Sequence, residues 1–263
     1  MTKVEQYLEH KRSLGYKMKT EDGQLRSFAR YVELHAPAGP LTSDLALRWA
    51  TSPKGTRRFY HALRLGFVRS FARYLAVFDP RTEIPPQRLL CATAMRAPPY
   101  IYKRREITAL IRDVLIRPPT LRCDPYIGQR NATTIGLLAC TGMRIGEVLA
   151  LKNRDLDLNQ NVITVRQSKN LPMRLVPISD SASRHLQQYR KVRDRRFGNS
   201  DDSGAFICSL RGGHSMHGPI WLAFRKSRKH LGLGNGTRRK PRLHDLRHTF
   251  ACNHLLRAYR ENR

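Results

Sequence analysis

Apolar positions recur with a helical period through most of this chain. Val4, Tyr7, Leu8 and Leu14 form one stripe over residues 4–14, and Leu25, Phe28, Ala29 and Val32 form another in a helix expected to begin after Thr20. His35-Ala36-Pro37 and Gly39-Pro40 close that second helix, and Thr42 or Ser43 caps a third. A fourth, over residues 55–78, carries Phe59, Leu63, Phe67, Phe71, Tyr74, Leu75 and Phe78, a series long enough to predict a core-facing surface. Asp79-Pro80, Pro85-Pro86 and Pro98-Pro99 then oppose helix and favour an extended connection. The pattern divides the chain into a helical domain at 1–79, a proline-rich linker at 80–102 and a second domain at 103–263.

In the second domain, residues 103–116 and 131–140 read as helices, the latter running into the Thr141-Gly142 turn. Short β-type runs at 162–165 and 175–178 flank residues 167–173 and describe a hairpin. Ser179 or Asp180 caps a long basic helix, residues 205–208 suggest a strand, residues 219–231 another helix, and a last helix starts near His244. The expected fold class is mainly α with a small antiparallel β-sheet. No internal repeat is visible.

Composition narrows the partner. The 263 residues, 40% hydrophobic, describe a soluble globular protein, and a formal charge of +29 with a pI near 11.0 calls for a polyanion. Nucleic acid leads; an anionic membrane surface competes, but no apolar run has the length of a transmembrane helix, and residues 1–20 are too polar for a signal peptide. The fourth helix bears Lys54, Arg57, Arg58, Arg64, Arg69 and Arg73 with no acid before Asp79, which predicts a phosphate-contacting face. Five cysteines, at 91, 123, 140, 208 and 252, are scattered and read as reduced, cytoplasmic thiols. Cys208, His214 and His217 lack a second closely spaced thiol pair, so no metal or other cofactor is expected.

Two segments a hundred residues apart carry the candidate chemistry: Thr141-Gly142-Met143-Arg144-Ile145-Gly146-Glu147 and Leu243-His244-Asp245-Leu246-Arg247-His248. A phosphodiester under attack gathers negative charge on its non-bridging oxygens, and planar guanidinium groups bind two such oxygens at once. Arg144 opens a helix after a glycine turn, Arg247 lies one turn after His244, and Glu147 can hold a guanidinium in a fixed rotamer.

These motifs, in this order, resemble the tyrosine recombinase (phage integrase) family. Residues 141–151 are similar to its first-arginine segment, the run from Val165 through Lys169 and Asn170 to Arg174-Leu175-Val176-Pro177-Ile178 resembles its β-hairpin, and His244-Asp245-Leu246-Arg247 matches its His-x-x-Arg. The glycine usual beside the family's lysine is replaced by Ser168 and Asn170. The resemblance implies a helical, SAM-like core-binding domain followed by an α+β catalytic domain. It also implies metal-independent breakage and rejoining of double-stranded DNA by a nucleophilic tyrosine through a 3′-phosphotyrosyl link. Arg144 and Arg247 would then stabilise the transition state, Lys169 protonate the leaving 5′-oxygen and His244 assist proton transfer or bind a phosphate oxygen. Homo-oligomers on DNA, a possible partner recombinase and a cytoplasmic, nucleoid-associated location follow from the same likeness.

The family's tyrosine stands some thirty residues beyond its His-x-x-Arg. Tyr259 is the one tyrosine after Arg247, and twelve residues of continuous helix separate the two by ~18 Å. The expectation is therefore a chain truncated before its nucleophile and inactive as it stands; the alternative is a non-catalytic DNA-binding remnant or regulator. A type IB topoisomerase shares the chemistry but fits the domain layout less well.

Overall fold

The computed structural model describes residues 2–37, 39–90, 98–117, 124–166, 172–198, 201–237 and 239–261, and it divides into two compact units, residues 1–96 and 97–263. The first holds α1 (Lys3–Ser13), α2 (Lys19–His35), α3 (Ser43–Thr51) and α4 (Arg58–Leu75). Thr2 and Glu5 cap α1 reciprocally: the Glu5 N–H donates to Thr2 Oγ1 and the Thr2 N–H to Glu5 Oε2. Thr42, not Ser43, caps α3, accepting from the Leu45 N–H at 3.2 Å. Val4, Tyr7, Leu8, Leu25, Phe28, Trp49, Leu65, Val68 and Phe71 fill the core. Leu14 lies just past α1 and is exposed.

The buried face of α4 is rotated from the expected one. Arg64, Leu65, Val68, Phe71 and Ala72 are buried at three-and-four spacing, whereas Phe59, Leu63 and Phe78 are exposed. Arg64 is thereby corrected from a phosphate contact to a core residue. Its guanidinium carbon sits 3.7 Å from the centre of the Trp49 ring, and its Nη2 donates to the Trp49 carbonyl at 2.9 Å. Arg69 is also engaged, donating from Nε to Pro85 O and from Nη2 to Pro86 O, each at 2.7 Å. Lys54, Arg57, Arg58 and Arg73 remain exposed.

The stretch expected as a linker is shared between the units. Arg69 and the bond from the Glu83 N–H to Leu41 O tie residues 83–86 to the first, and Tyr102 belongs to the core of the second.

The second unit contains α5 (Arg104–Ile116), α6 (Pro125–Thr141), α7 (Ile145–Leu149), β1 (Leu156–Asp157), β2 (Val162–Val165), β3 (Arg174–Pro177), α8 (Asp180–Phe197), α9 (His217–His230) and α10 (Leu243–Arg260). The strands form one antiparallel sheet in the order β1-β2-β3, with Val165 opposite Arg174 and Ile163 opposite Val176. Helix α6 begins six residues before its expected start because Asp124 caps it, accepting from the Tyr126 N–H, and Pro125 follows at the first helical position. Ser179 caps α8. Residues 205–208 form no strand, only single bridges between Lys152 and Ala205 and between Cys208 and His214. Phe206 and Ile207 are buried there, but their backbones bond to Leu151 and Ser215 in loops.

Removing Arg64 deletes a desolvated cation–π contact and a charged hydrogen bond, so Arg64→Ala is expected to destabilise the first unit by about 3 kcal/mol. Urea unfolding followed by Trp49 fluorescence in a Trp221→Phe background measures this; an unshifted midpoint would contradict the burial argument.

Candidate active site

Gly142 ends α6 in the left-handed conformation, φ 61°, and a Cβ there would overlap the Phe250 ring of α10. This close approach brings α10 against the turn that carries Arg144. Arg247, one turn into α10, donates from Nη1 to the Gly142 carbonyl. Both arginines of the sequence motifs thus stand on either side of one glycine turn.

Arg144 is the N-cap of α7, and Glu147 closes that helix start by accepting from the Arg144 N–H at 2.9 Å. The same carboxylate takes Arg144 Nη1 at 2.9 Å and Arg174 Nη2 at 2.6 Å. Glu147 is 5% exposed, and its two arginine partners reach out past it. Burial lowers the Arg247 pKa, and nearby Arg144 lowers it further, while Glu147 opposes the shift. Among the described residues, Arg144, Arg174 and Arg247 against Glu147 sum to three minus one, or +2, at a partly open surface.

Asp245, fully buried, performs for α10 what Glu147 does for α7. It accepts from the Arg242 N–H at 2.8 Å and from Arg242 Nη2 at 3.0 Å. The start of α10 is fixed further by Thr249, whose Oγ1 accepts from the Tyr102 N–H. His244 projects from this rigid first turn with its ring 4.9 Å from that of His248. Its pKa is lowered, first by desolvation and then by His248, Arg247 and Arg242, so the neutral imidazole dominates at pH 7.

Of the residues read from sequence, Arg144, Glu147 and Arg247 are brought together, with His244 on the same helix turn as Arg247. Lys169 lies outside the described residues; the hairpin bases flanking it are held by Arg166 Nε to Asp155 Oδ1 at 2.8 Å and by Arg174 to Glu147. Nothing in the local sequence around Arg174 marks it as more than a hairpin residue. The available signal was Glu147 itself, an acid inside a five-residue, otherwise uncharged helix, which requires a cationic partner when buried. Tyr259 is 83% exposed near the end of α10, on the same uninterrupted helix as Arg247. Cys208 donates to Ala205 O and His214 bonds Leu149 O; among the described residues no three His, Cys, Asp or Glu side chains converge as a metal site. No helix of the described residues is long and apolar enough to cross a membrane.

Glu147→Gln leaves two guanidinium groups without their carboxylate and is expected to cost about 2–3 kcal/mol, the partial exposure of the arginines reducing the figure for a fully buried pair. Thermal denaturation of the variant checks this, and a melting temperature equal to that of the parent would overturn the hub role of Glu147.

Comparison with known proteins gives a consistent picture. The phage integrase family model matches residues 122–259. The Sinorhizobium fredii protein described as integrase/recombinase y4rB is 36% identical over 267 residues, covering 97% of this chain and 82% of that protein. Tyrosine recombinase XerC of Roseiflexus castenholzii is 28% identical over 199 residues, covering 75% of this chain and 59% of that protein. Among solved structures, a lambda integrase (75–356) dimer bound to a COC′ core site superposes with a TM-score of 0.68 at 17% identity, covering 95% of this chain and 84% of that one, a likeness of fold. The chain belongs to the phage integrase family of site-specific DNA recombinases.

Proposed function

We propose that this protein takes part in site-specific recombination of double-stranded DNA by tyrosine-mediated strand cleavage and rejoining, with Arg144 and Arg247 holding the scissile phosphate. The observation that carries the reading is the pair of guanidinium groups fixed on either side of the Gly142 turn around one buried carboxylate. A phosphodiester carries one negative charge and the five-coordinate phosphorane formed during attack carries two. A site charge of +2 therefore favours the transition state over the ground state. In the cleavage step a tyrosine oxygen bonds to phosphorus, the bond from phosphorus to the 5′-oxygen breaks, and Lys169 supplies the proton that the 5′-oxygen takes up. Neutral His244 accepts the tyrosine proton or a phosphate hydrogen bond. Rejoining reverses these steps with an incoming 5′-hydroxyl.

The attacking tyrosine is not Tyr259, which stands ~18 Å along α10 from Arg247. Nor is it Tyr102, whose buried hydroxyl donates to the Arg242 carbonyl. On this reading the nucleophile is a tyrosine other than Tyr259 and Tyr102, and further polypeptide or a partner recombinase would each supply one. Exposed Lys54, Arg57, Arg58 and Arg73 contribute phosphate contacts from the first unit, copies assemble on DNA as the lambda integrase dimer does on its core site, and the place of action is the nucleoid. The position of Tyr259 also favours a second reading, a DNA-binding regulator that occupies recombination sites without cutting them.

An external nucleophile separates the two. With the tyrosine replaced by peroxide or a phenol in solution, a duplex bearing the target site is expected to be nicked to a 5′-hydroxyl end. Arg144→Ala or Arg247→Ala should lower that rate by about 100–1,000-fold with little change in DNA affinity. Because the His244 pKa is lowered, neutral imidazole persists on acidification, and cleavage should fall only below pH 6.5. Nicking that is indifferent to both arginines would refute the assignment, and no nicking at any pH would favour the regulator.

A further inference from the structure

The first turns of α10 have two faces. Leu243, Asp245, Leu246 and Thr249 are buried, while His244 is exposed and Arg247 and His248 are half-buried. The Gly142 carbonyl holds Arg247 by the tip of its side chain. The helix itself is held from its buried side by Tyr102, a residue far back in the chain and 3% exposed. Its hydroxyl donates to the Arg242 carbonyl at 3.1 Å, and its N–H donates to Thr249 Oγ1 at 2.9 Å. About 10 Å of helix axis separates these two points, and both His244 and Arg247 lie between them. The Arg242 carbonyl already accepts from the Asp245 N–H, and the Thr249 hydroxyl already donates to the Asp245 carbonyl. Tyr102 therefore adds a second partner to groups that the helix has satisfied by itself.

Tyr102 is fixed in its turn. Its ring packs edge to face on Tyr100 at 5.0 Å, Tyr100 donates to Glu106 Oε1 at 2.7 Å, and Glu106 Oε2 accepts from the Lys103 N–H at 2.7 Å at the start of α5. Burial raises the pKa of the Tyr102 hydroxyl and Asp245 raises it further, so the donor keeps its proton well above neutral pH. The consequence for the site is one of leverage. Side chains reach ~5–6 Å from a helix axis, so a roll of ~10° carries His244 and Arg247 by ~1 Å. A misplacement of that size costs on the order of 100-fold in rate.

We propose that Tyr102 is a positioning residue for strand cleavage, setting the axial place and roll of α10 and with them His244 and Arg247, an inference that rests on the reading that these two residues serve that reaction. Tyr102→Phe removes one hydroxyl, keeps the ring and leaves the Arg242 carbonyl its Asp245 partner. Peroxide-driven nicking of the target duplex should fall about 10–100-fold at saturating DNA, with duplex affinity unchanged. The His244 imidazole is also titrated by NMR in the free protein, its signals assigned with His244→Gln. Desolvation, His248, Arg247 and Arg242 lower its pKa against the pull of Asp245, while Arg144, Arg174 and Glu147 act on the neighbouring Arg247. A loosened first turn admits water, so the His244 titration and the acid limb of the nicking profile should both move to higher pH. A Tyr102→Phe protein that loses thermal stability but keeps the parent's rate and both pH curves overturns the proposal. Should that variant fail to fold, Thr249→Val removes the other bond at nearly the same shape and is expected to move the same two curves. A parent that does not nick, or nicks equally well as Arg144→Ala, overturns the cleavage reading; an unshifted His244 titration in Tyr102→Phe then overturns the positioning as well, and a shifted one upholds it.

Discussion

A buried carboxylate surrounded by guanidinium groups is the constraint on which the site depends. Glu147 closes the start of α7, fixes Arg144 and anchors Arg174 at the base of the β2–β3 hairpin, all through two oxygens. Asp155 and Asp245 repeat the device. Each accepts from a backbone N–H three residues upstream and from an arginine: Asp155 from Lys152 and Arg166, Asp245 from Arg242 twice. These three are the buried acids among the described residues. In a chain with 49 basic and 20 acidic residues, they concentrate where cations must crowd together without flying apart.

This arrangement explains how a strongly basic protein keeps a rigid phosphate grip. Guanidinium groups that face a phosphate repel one another in its absence, and flexible side chains would relieve that repulsion by turning to solvent. Internal carboxylates and the Gly142 carbonyl hold them instead, so the electrostatic cost is met during folding rather than during reaction. The partial negative charge on the carbonyl at the end of α6 adds to the same effect.

Much of the site was legible because its chemistry is local. The glycine turn before Arg144, the acid three residues after it and the three-residue spacing of His244 and Arg247 each carry a short-range physical meaning. Residues 162–165 appear as β2, and the second hairpin strand starts one residue before its expected position, at Arg174. What was not legible depends on partners distant in sequence. Arg174 reads as an ordinary strand residue until Glu147, 27 residues earlier, lies beside it. Arg64 reads as one more surface charge, although its spacing from Val68 and Phe71 places it on the buried face of α4, where Trp49 accepts it. Residues 205–208 have a strand's apolarity, but their backbone partners are loops.

The most direct test of the account is a crystal structure of the protein on duplex DNA carrying its target site. The account predicts one backbone phosphate with its non-bridging oxygens within hydrogen-bond distance of both Arg144 and Arg247, while Glu147 still bridges Arg144 and Arg174. DNA seated elsewhere, with no phosphate touching either arginine, would contradict it.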